Sequence, residues 1–464
     1  AAQALHQFLD GLRLITGGRV VGIQFEVHGA IVSWRGEFRM PRLAPARRFS
    51  YTLAPHSRHR IIPLPSLLSQ RVQKVKPSPT LAVTARAAKL KSEGKDIIGL
   101  GAGEPDFDTP VHIADAGVAA IRTGITRYTA VDGTAELKDA IIAKFNRENC
   151  LTYERNQILV SSGAKQTCFN LCAALLDPGD ECVIPAPYWV SYPDMALLAD
   201  GVPVIVNGGA EQGYKITPAQ LDAVITPRTK LFIINSPSNP TGAAYTQSEL
   251  KALGTVLDKH PQVIIAADEM YEHIYWAAEP LLSFAQANPR LYGRTVTING
   301  VSKAYAMTGW RIGFCGGPKD IVAAMATIQG QSTSNASSIS QRAATVALNG
   351  DQACVAEMNA AFKQRHDFVV AGLNAIPGVS CQKGAGTFYA FADVHGAMRN
   401  LGVKDDNDFA EYLLVEAGVA VVPGSGFGAP GHMRLSFATS MKVLEDALRR
   451  IERALAAPAA RRAG

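Results

Sequence analysis

TINGVSKAYAMTGWRIG, residues 297–313, is the stretch on which the reading of this chain turns. A short β-rich run, 295–298, leads into a turn of small residues, Asn299 and Gly300, and then to Lys303. Arg311 follows two turns' worth of chain later, flanked by Gly309, Trp310 and Gly313. A lysine on a tight turn near an arginine suits a ligand that carries both an aldehyde and a phosphate. The amine condenses with the aldehyde, and the planar guanidinium grips the phosphate through paired hydrogen bonds. A Ser-Lys pair alone says little, because most lysines are solvated surface groups. The stretch gains meaning from its context and from partner motifs elsewhere.

Outward from it, short apolar runs alternate with helical patterns. Runs at 158–160, 181–184, 203–206, 230–234, 263–267, 295–298 and 312–315 read as strands, and 165–176 and 248–259 as helices. The alternation predicts an α/β domain with a mainly parallel sheet. After Gly317 the sequence is helix-rich to about residue 376. Runs at 387–391, 419–422 and 433–437 then mix with helices, which predicts a smaller α+β domain.

The first 66 residues stand apart. They hold nine arginines, no lysine and three acids, and their pattern at 21–27 alternates like a strand. They read equally as a targeting leader or as an artefact upstream of the native chain, and are expected to be poorly ordered. The remaining 37 basic and 37 acidic residues balance, so the net charge of +6 implies neither nucleic acid nor an anionic membrane as partner. The longest apolar candidate, 15–34, is broken by Arg19, Glu26 and His28, so no transmembrane helix is expected. Seven scattered cysteines, an odd number, suit a reducing compartment. Cys168 and Cys172 read as small apolar core residues, and no metal site is expected.

Each feature of an aldehyde–phosphate ligand finds a candidate partner. Asp268 ends the apolar run in VIIAADEMYEHI, placed to hold a proton on a ring nitrogen, or merely to cap a turn. Tyr271 follows it by one helical turn. Asn239 sits in SPSNPTG, whose Asn-Pro forces a turn at a strand's carboxyl end, where open α/β sheets bind ligands. Ser162, Gly163, Ala164 and Lys165 join a strand to a helix, so that backbone N–H groups face an anion; an ordinary helix start has the same spelling. Arg434 lies in HMRLSFATS and Gly103 in GAGEPDF; a planar guanidinium can hold an anion through its fork, and a glycine lets backbone come close to a ligand.

Together these motifs resemble the class I (fold type I) aminotransferases over about residues 67–455. The nearest likeness is to the subgroup of bacterial-type aspartate and aspartate/prephenate aminotransferases. The resemblance implies pyridoxal phosphate as cofactor, bound by Lys303. It implies a large domain over 111–339 and a small domain built from 67–110 and 340–464. Asp268 would pair with the pyridine nitrogen, and Tyr271 and Asn239 with the phenolic oxygen. Trp189, in APYWVSYP, would stack on the ring, although an aromatic there also reads as core. Gly163, Ala164, Lys165, Ser302 and Arg311 would surround the phosphate. Tyr128, in TRYTAVDG, would reach the partner subunit's phosphate, which makes the enzyme a homodimer with shared active sites. Gly103, Trp189, Asn239 and Arg434 would bind the substrate, with Lys165 and Thr80 at its distal carboxylate. Gly300 departs from the other large aspartate aminotransferase subgroup, which has a hydroxyl residue there.

The implied reaction moves the amino group of L-aspartate to 2-oxoglutarate, giving oxaloacetate and L-glutamate. Alternatives are transamination of prephenate to arogenate, a broad or aromatic aminotransferase, and a lyase on the same fold. A sensing regulator would carry a DNA-binding region, and residues 1–66 show no helix-turn-helix. The implied location is the cytoplasm, or an organelle matrix (plastid or mitochondrion) if residues 1–66 are a transit peptide.

Overall fold

Residues 23–27, 30–34 and 68–456 are described in the computed structural model, and they fall into two separate units. The first holds an antiparallel hairpin of β1 (Ile23–Val27) and β2 (Ala30–Trp34), so the strand expected at 21–27 is present from Ile23. The rest of the expected leader lies outside the described residues.

The second unit contains β3 (Ile98–Gly99), β4 (Ile158–Ser161), β5 (Glu181–Ala186), β6 (Val202–Asn207), β7 (Thr229–Asn235), β8 (Ile264–Asp268), β9 (Thr295–Gly300) and β10 (Gly313–Gly316). After a helical stretch come β11 (Ser380–Cys381), β12 (Tyr389–Asp393), β13 (Val419–Ala420), β14 (Val422–Pro423) and β15 (His432–Ser436). The large sheet runs in the order β4-β10-β9-β8-β7-β5-β6. Only β10 runs against its neighbours, β9 and β4.

These strands are apolar run after run because both faces are covered. Leu231, Ile233 and Ala266 face one cluster with the helix Ala164–Leu175, while Phe232, Ile234 and Ile265 face another with the helix Gln247–Leu257. Cys168, Cys172, Cys182 and Cys315 fill the first of these as small apolar groups, and burial pushes the thiols of Cys172 and Cys315 up to about 12. A four-stranded sheet, β11-β12-β15-β14, has its own core with Phe362, Leu373 and Phe388. The run expected as one strand at 419–422 divides at Val421. β13 pairs in parallel with β3, while β14 joins β15. Among the described residues no helix is long and apolar enough to cross a membrane.

The parallel strands deliver Asn235, Asp268 and Gly300 to the same end of the large sheet, because β7, β8 and β9 pair side by side. That carboxyl edge is where ligands bind in open α/β sheets.

Candidate active site

Lys303 lies just beyond β9, half-buried, with its Nζ donating to the carbonyl of Gly103. Burial pushes its ammonium down to about 8; Glu104 opposes the fall, while Arg311 and Arg434 add to it. Desolvation beside other cations is what turns a lysine into a nucleophile and base near neutral pH.

Asp268, the last residue of β8, is buried and accepts from Tyr192 Oη at 2.5 Å and from the Met270 N–H at 3.2 Å. Burial raises its carboxyl, and these bonds and Lys303 pull it back. A carboxylate so desolvated gains most from a cationic partner. Its backbone carbonyl accepts from Asn235 Nδ2, and Asn235 Oδ1 in turn accepts from the Asn239 N–H at 2.8 Å. Asn239 is thereby fixed on the turn after β7.

Arg434 sits in mid β15, between Phe391 of β12 and Val422 of β14. It is 2% exposed. Nη1 donates to Asn239 Oδ1 at 2.9 Å and Nη2 to the Gly101 carbonyl at 2.8 Å. Its guanidinium packs against the rings of Tyr389 and Phe427, 4.3 and 4.8 Å from their centroids. Nε has no partner among the described residues. A buried cationic donor left without an acceptor is costly, and an anion that brings oxygens to it relieves the cost.

Arg311 is built differently. It has a left-handed backbone, φ 57°, and its Nη1 and Nη2 donate to the carbonyls of Thr308 and Ser162. Gly163 N-caps the helix Ala164–Leu175 at φ 88°, and a Cβ there would fall 2.2 Å from Arg311 Nη2. The helix end, a glycine that cannot grow a side chain and the guanidinium together form an anion cradle. Ser302 is buried one residue before Lys303, and Gly313 packs so closely that a Cβ there would meet the Ala164 nitrogen.

Lys165 extends from the first turn of that helix, its Nζ 5.0 Å from the Trp189 ring centroid. Burial, then the charge of Arg311, lowers its ammonium. No carboxylate among the described residues pairs with it. Trp189 meets Tyr192 edge-on at 5.3 Å, which leads back to Asp268. Tyr271 is buried, its hydroxyl 3.0 Å from that of Tyr389.

Ten expected residues thus join into contacts around one site: Lys303, Gly103, Asp268, Asn239, Arg434, Tyr271, Arg311, Gly163, Lys165 and Trp189. Ala164 and Ser302 adjoin Gly163 and Lys303 along the chain, and the last two expected residues stand apart. Tyr128 is 92% exposed, and none of the described residues covers it. Thr80 lies in the helix Pro79–Ser92, where Pro79 and Val190 both approach Gly426. Sequence reasoning passed over Tyr192, Tyr389, Phe427 and Asn235. Tyr192 carried a signal, one helical turn after Trp189; Tyr389 and Asn235 are brought in by sheet register, and Phe427 by the short helical turn Gly424–Phe427. A carboxylate–histidine group, Glu148, Glu272 and His273, sits beside Tyr271, but Lys144 ion-pairs within it and already meets its charge.

The family described as aminotransferase class I and II matches residues 95–451. This chain belongs to it. It is 58% identical to the aspartate/prephenate aminotransferase of Nitrosomonas europaea over 390 residues, 83% of this chain and 98% of that protein. It is 50% identical to an aspartate aminotransferase of Rhizobium meliloti over 388 residues, 82% of this chain and 95% of that one. Among solved structures, the Rhizobium meliloti aspartate aminotransferase superposes with a TM-score of 0.81 at 50% identity, covering 84% and 99% of the two chains. The Thermus thermophilus aspartate aminotransferase with maleate gives 0.79 at 43%, covering 83% and 99%. This aminotransferase is accordingly of fold type I, an α/β transferase that uses pyridoxal phosphate. Its residues fit that group on two observations. The Gly163–Arg311 cradle offers donors to a phosphate where a Cβ would collide, and half-buried Lys303 has its amine pushed down to about 8.

Proposed function

We propose that this aminotransferase transfers the amino group of L-aspartate to 2-oxoglutarate, giving oxaloacetate and L-glutamate. The observation that carries the reading is a pair of cationic groups at one site, each short of an anion. Arg434 has an unpartnered buried Nε, and Lys165 has no carboxylate partner among the described residues. Two cations suit a substrate with two carboxylates. The names of the relatives favour the same substrate, and that of the Nitrosomonas europaea protein favours prephenate, another dicarboxylate, as a second amino acceptor.

Bound pyridoxal phosphate supplies an electron sink and a carrier for the amino group. The chain's residues do the rest. Arg434, with Gly103 beside it, grips the α-carboxylate through its fork and fixes which bond at Cα faces the ring. That choice favours loss of a proton over loss of carbon dioxide or the side chain, and separates the reading from a lyase. With the cofactor bound, Lys303 as a neutral amine would be the base that takes the proton from the substrate's Cα and, as its ammonium, the acid that gives it back. Asp268 keeps the ring nitrogen protonated, held by Tyr192. Tyr271 and Asn239 hold the phenolic oxygen. Ser302, Ala164, Gly163 and Arg311 hold the phosphate. Trp189 stacks on the ring, and Lys165 with Thr80 receives the distal carboxylate.

The working unit is a homodimer in the cytoplasm, with Tyr128 of each protomer completing its partner's phosphate site. The exposure of Tyr128 and of Val111 and Ile121 on the nearby helix supports a covering subunit, and the bacterial relatives support the location. Residues 111–339 form the large domain, and 67–110 with 340–464 the small one. The first span contains β4 to β10, and the others contain β3 and β11 to β15.

The test is to supply aspartate with 2-oxoglutarate, and glutamate with prephenate, and to follow oxaloacetate and arogenate. Formation of neither product overturns the reading. Lys303→Ala should remove turnover altogether, by at least about 10⁵-fold when a covalent anchor and base is lost; full activity in that variant would exclude it from the chemistry. Sedimentation that returns only monomer at micromolar concentration would break the dimer.

A further inference from the structure

Tyr389 opens β12, opposite Ser436 of β15, and touches both halves of the site. Its ring lies against the Arg434 guanidinium. Its hydroxyl is 3.0 Å from that of Tyr271, and a Cβ on Gly103 would fall 2.7 Å from it. Burial raises both phenols, so both keep their protons at neutral pH. Between the two hydroxyls there is one hydrogen bond, in which either can donate. Whichever donates has spent its only proton. If Tyr271 donates to Tyr389, nothing remains for a cofactor oxygen. If Tyr389 donates, the Tyr271 proton is free.

We propose that Tyr389 is a positioning residue that donates to Tyr271 and thereby directs the Tyr271 proton to the cofactor's phenolic oxygen, strengthening that bond. The inference rests on the transaminase reading above. A hydroxyl that accepts while it donates is the stronger donor, because bonds in a chain polarise one another. Drawing charge from the phenolic oxygen loosens the proton on the neighbouring nitrogen that links lysine to cofactor. Without the Tyr389 hydroxyl, the oxygen keeps more charge and that nitrogen holds its proton to higher pH. The other charged groups acting on this pair and on Lys303 are Arg434 from β15, Asp268 from β8, Glu104 from the loop after β3, and Arg311. Tyr389→Phe leaves all four in place and keeps the ring against Arg434.

The experiment is a spectrophotometric pH titration of the cofactor-loaded enzyme as wild type, Tyr389→Phe, Tyr271→Phe and the double variant. Tyr389→Phe should move the titration upward by about 0.3–1 pH unit. Tyr271→Phe should move it further, and the double variant should match Tyr271→Phe. The affinity of the cofactor-free Tyr389→Phe protein for pyridoxal phosphate, read by tryptophan fluorescence, should fall severalfold. A titration unchanged in Tyr389→Phe, or an equal further shift in the Tyr271→Phe background, overturns the proposal. Fluorotyrosine at position 389, a stronger donor of nearly the same shape, should move the titration downward, and any other direction overturns the proposal even if Tyr389→Phe fails to fold. A wild-type enzyme with no pH-dependent absorbance band would instead break the cofactor reading on which the inference rests.

Discussion

Two of the cations that the site offers to anions are arginines, and the protein surrounds them in opposite ways. Arg311 stands on a left-handed residue at the edge of the large sheet, its nitrogens on backbone carbonyls and its face toward solvent. Arg434 is inside a strand, packed against two rings, with a third nitrogen unpartnered. The first is preorganised and hydrated, and suits a dianionic group that stays. The second is dehydrated and under-satisfied, and suits a carboxylate that comes and goes, because each arrival relieves a buried donor.

The widest test of this contrast is Arg434→Ala. It should lower kcat/KM for aspartate by roughly 10³, about 4 kcal/mol, while the cofactor stays bound. Cofactor lost along with activity would erase the division between the two arginines. Arg311→Ala should do the reverse. Pyridoxal phosphate affinity should drop about 30-fold, about 2 kcal/mol, and excess cofactor should restore most turnover; kinetics at two cofactor concentrations check it. Gly163→Ala probes the cradle from its other side. A side chain at φ 88° facing Arg311 should weaken cofactor binding about tenfold, with KM for aspartate at saturating cofactor within about twofold of wild type.

A separate test is in pH. Lys303 titrates near 8 in the cofactor-free protein, so it is mostly protonated below that and neutral above. The rate of pyridoxal phosphate capture should rise about tenfold per pH unit up to pH 8 and level off above it, as seen by stopped-flow absorbance. A flat profile from pH 6 to 9 would place the amine's proton outside the capture step.

The two arginines also differ in how openly the sequence announces them. Arg311 shares a short stretch with Lys303, and the Gly163 turn is another compact word, so the cradle reads from local spelling. The large sheet reads just as well, because strands buried on both faces are nearly continuous apolar runs, as at 230–234 and 263–267. Arg434 reads as a clamp only by resemblance. What makes it one, the rings of Tyr389 and Phe427 and the carbonyl of Gly101, comes from three separate segments: β12, the short helical turn Gly424–Phe427 and the stretch just after β3. The same holds for Asn235, which links Asp268 to Asn239 because β7 and β8 are neighbours. The division of the run at 419–422 was also illegible, since its residues are uniformly apolar and only the choice of partners separates Val419 from Val422.

The pairing of β13 with β3, together with the bond from Arg434 to Gly101, has a consequence for how the molecule is made. A chain leaving the ribosome has finished every strand of the large sheet, with Lys303, Asp268 and Arg311, by Gly316. The segment around Gly101, synthesised long before, waits for residues 419–434 before its carbonyls and β3 find their partners. A chain stopped between these points contains the whole cradle but lacks Arg434, the guanidinium of the clamp. Translation thus builds the part that activates an amino acid first and the part that selects the bond to be broken last.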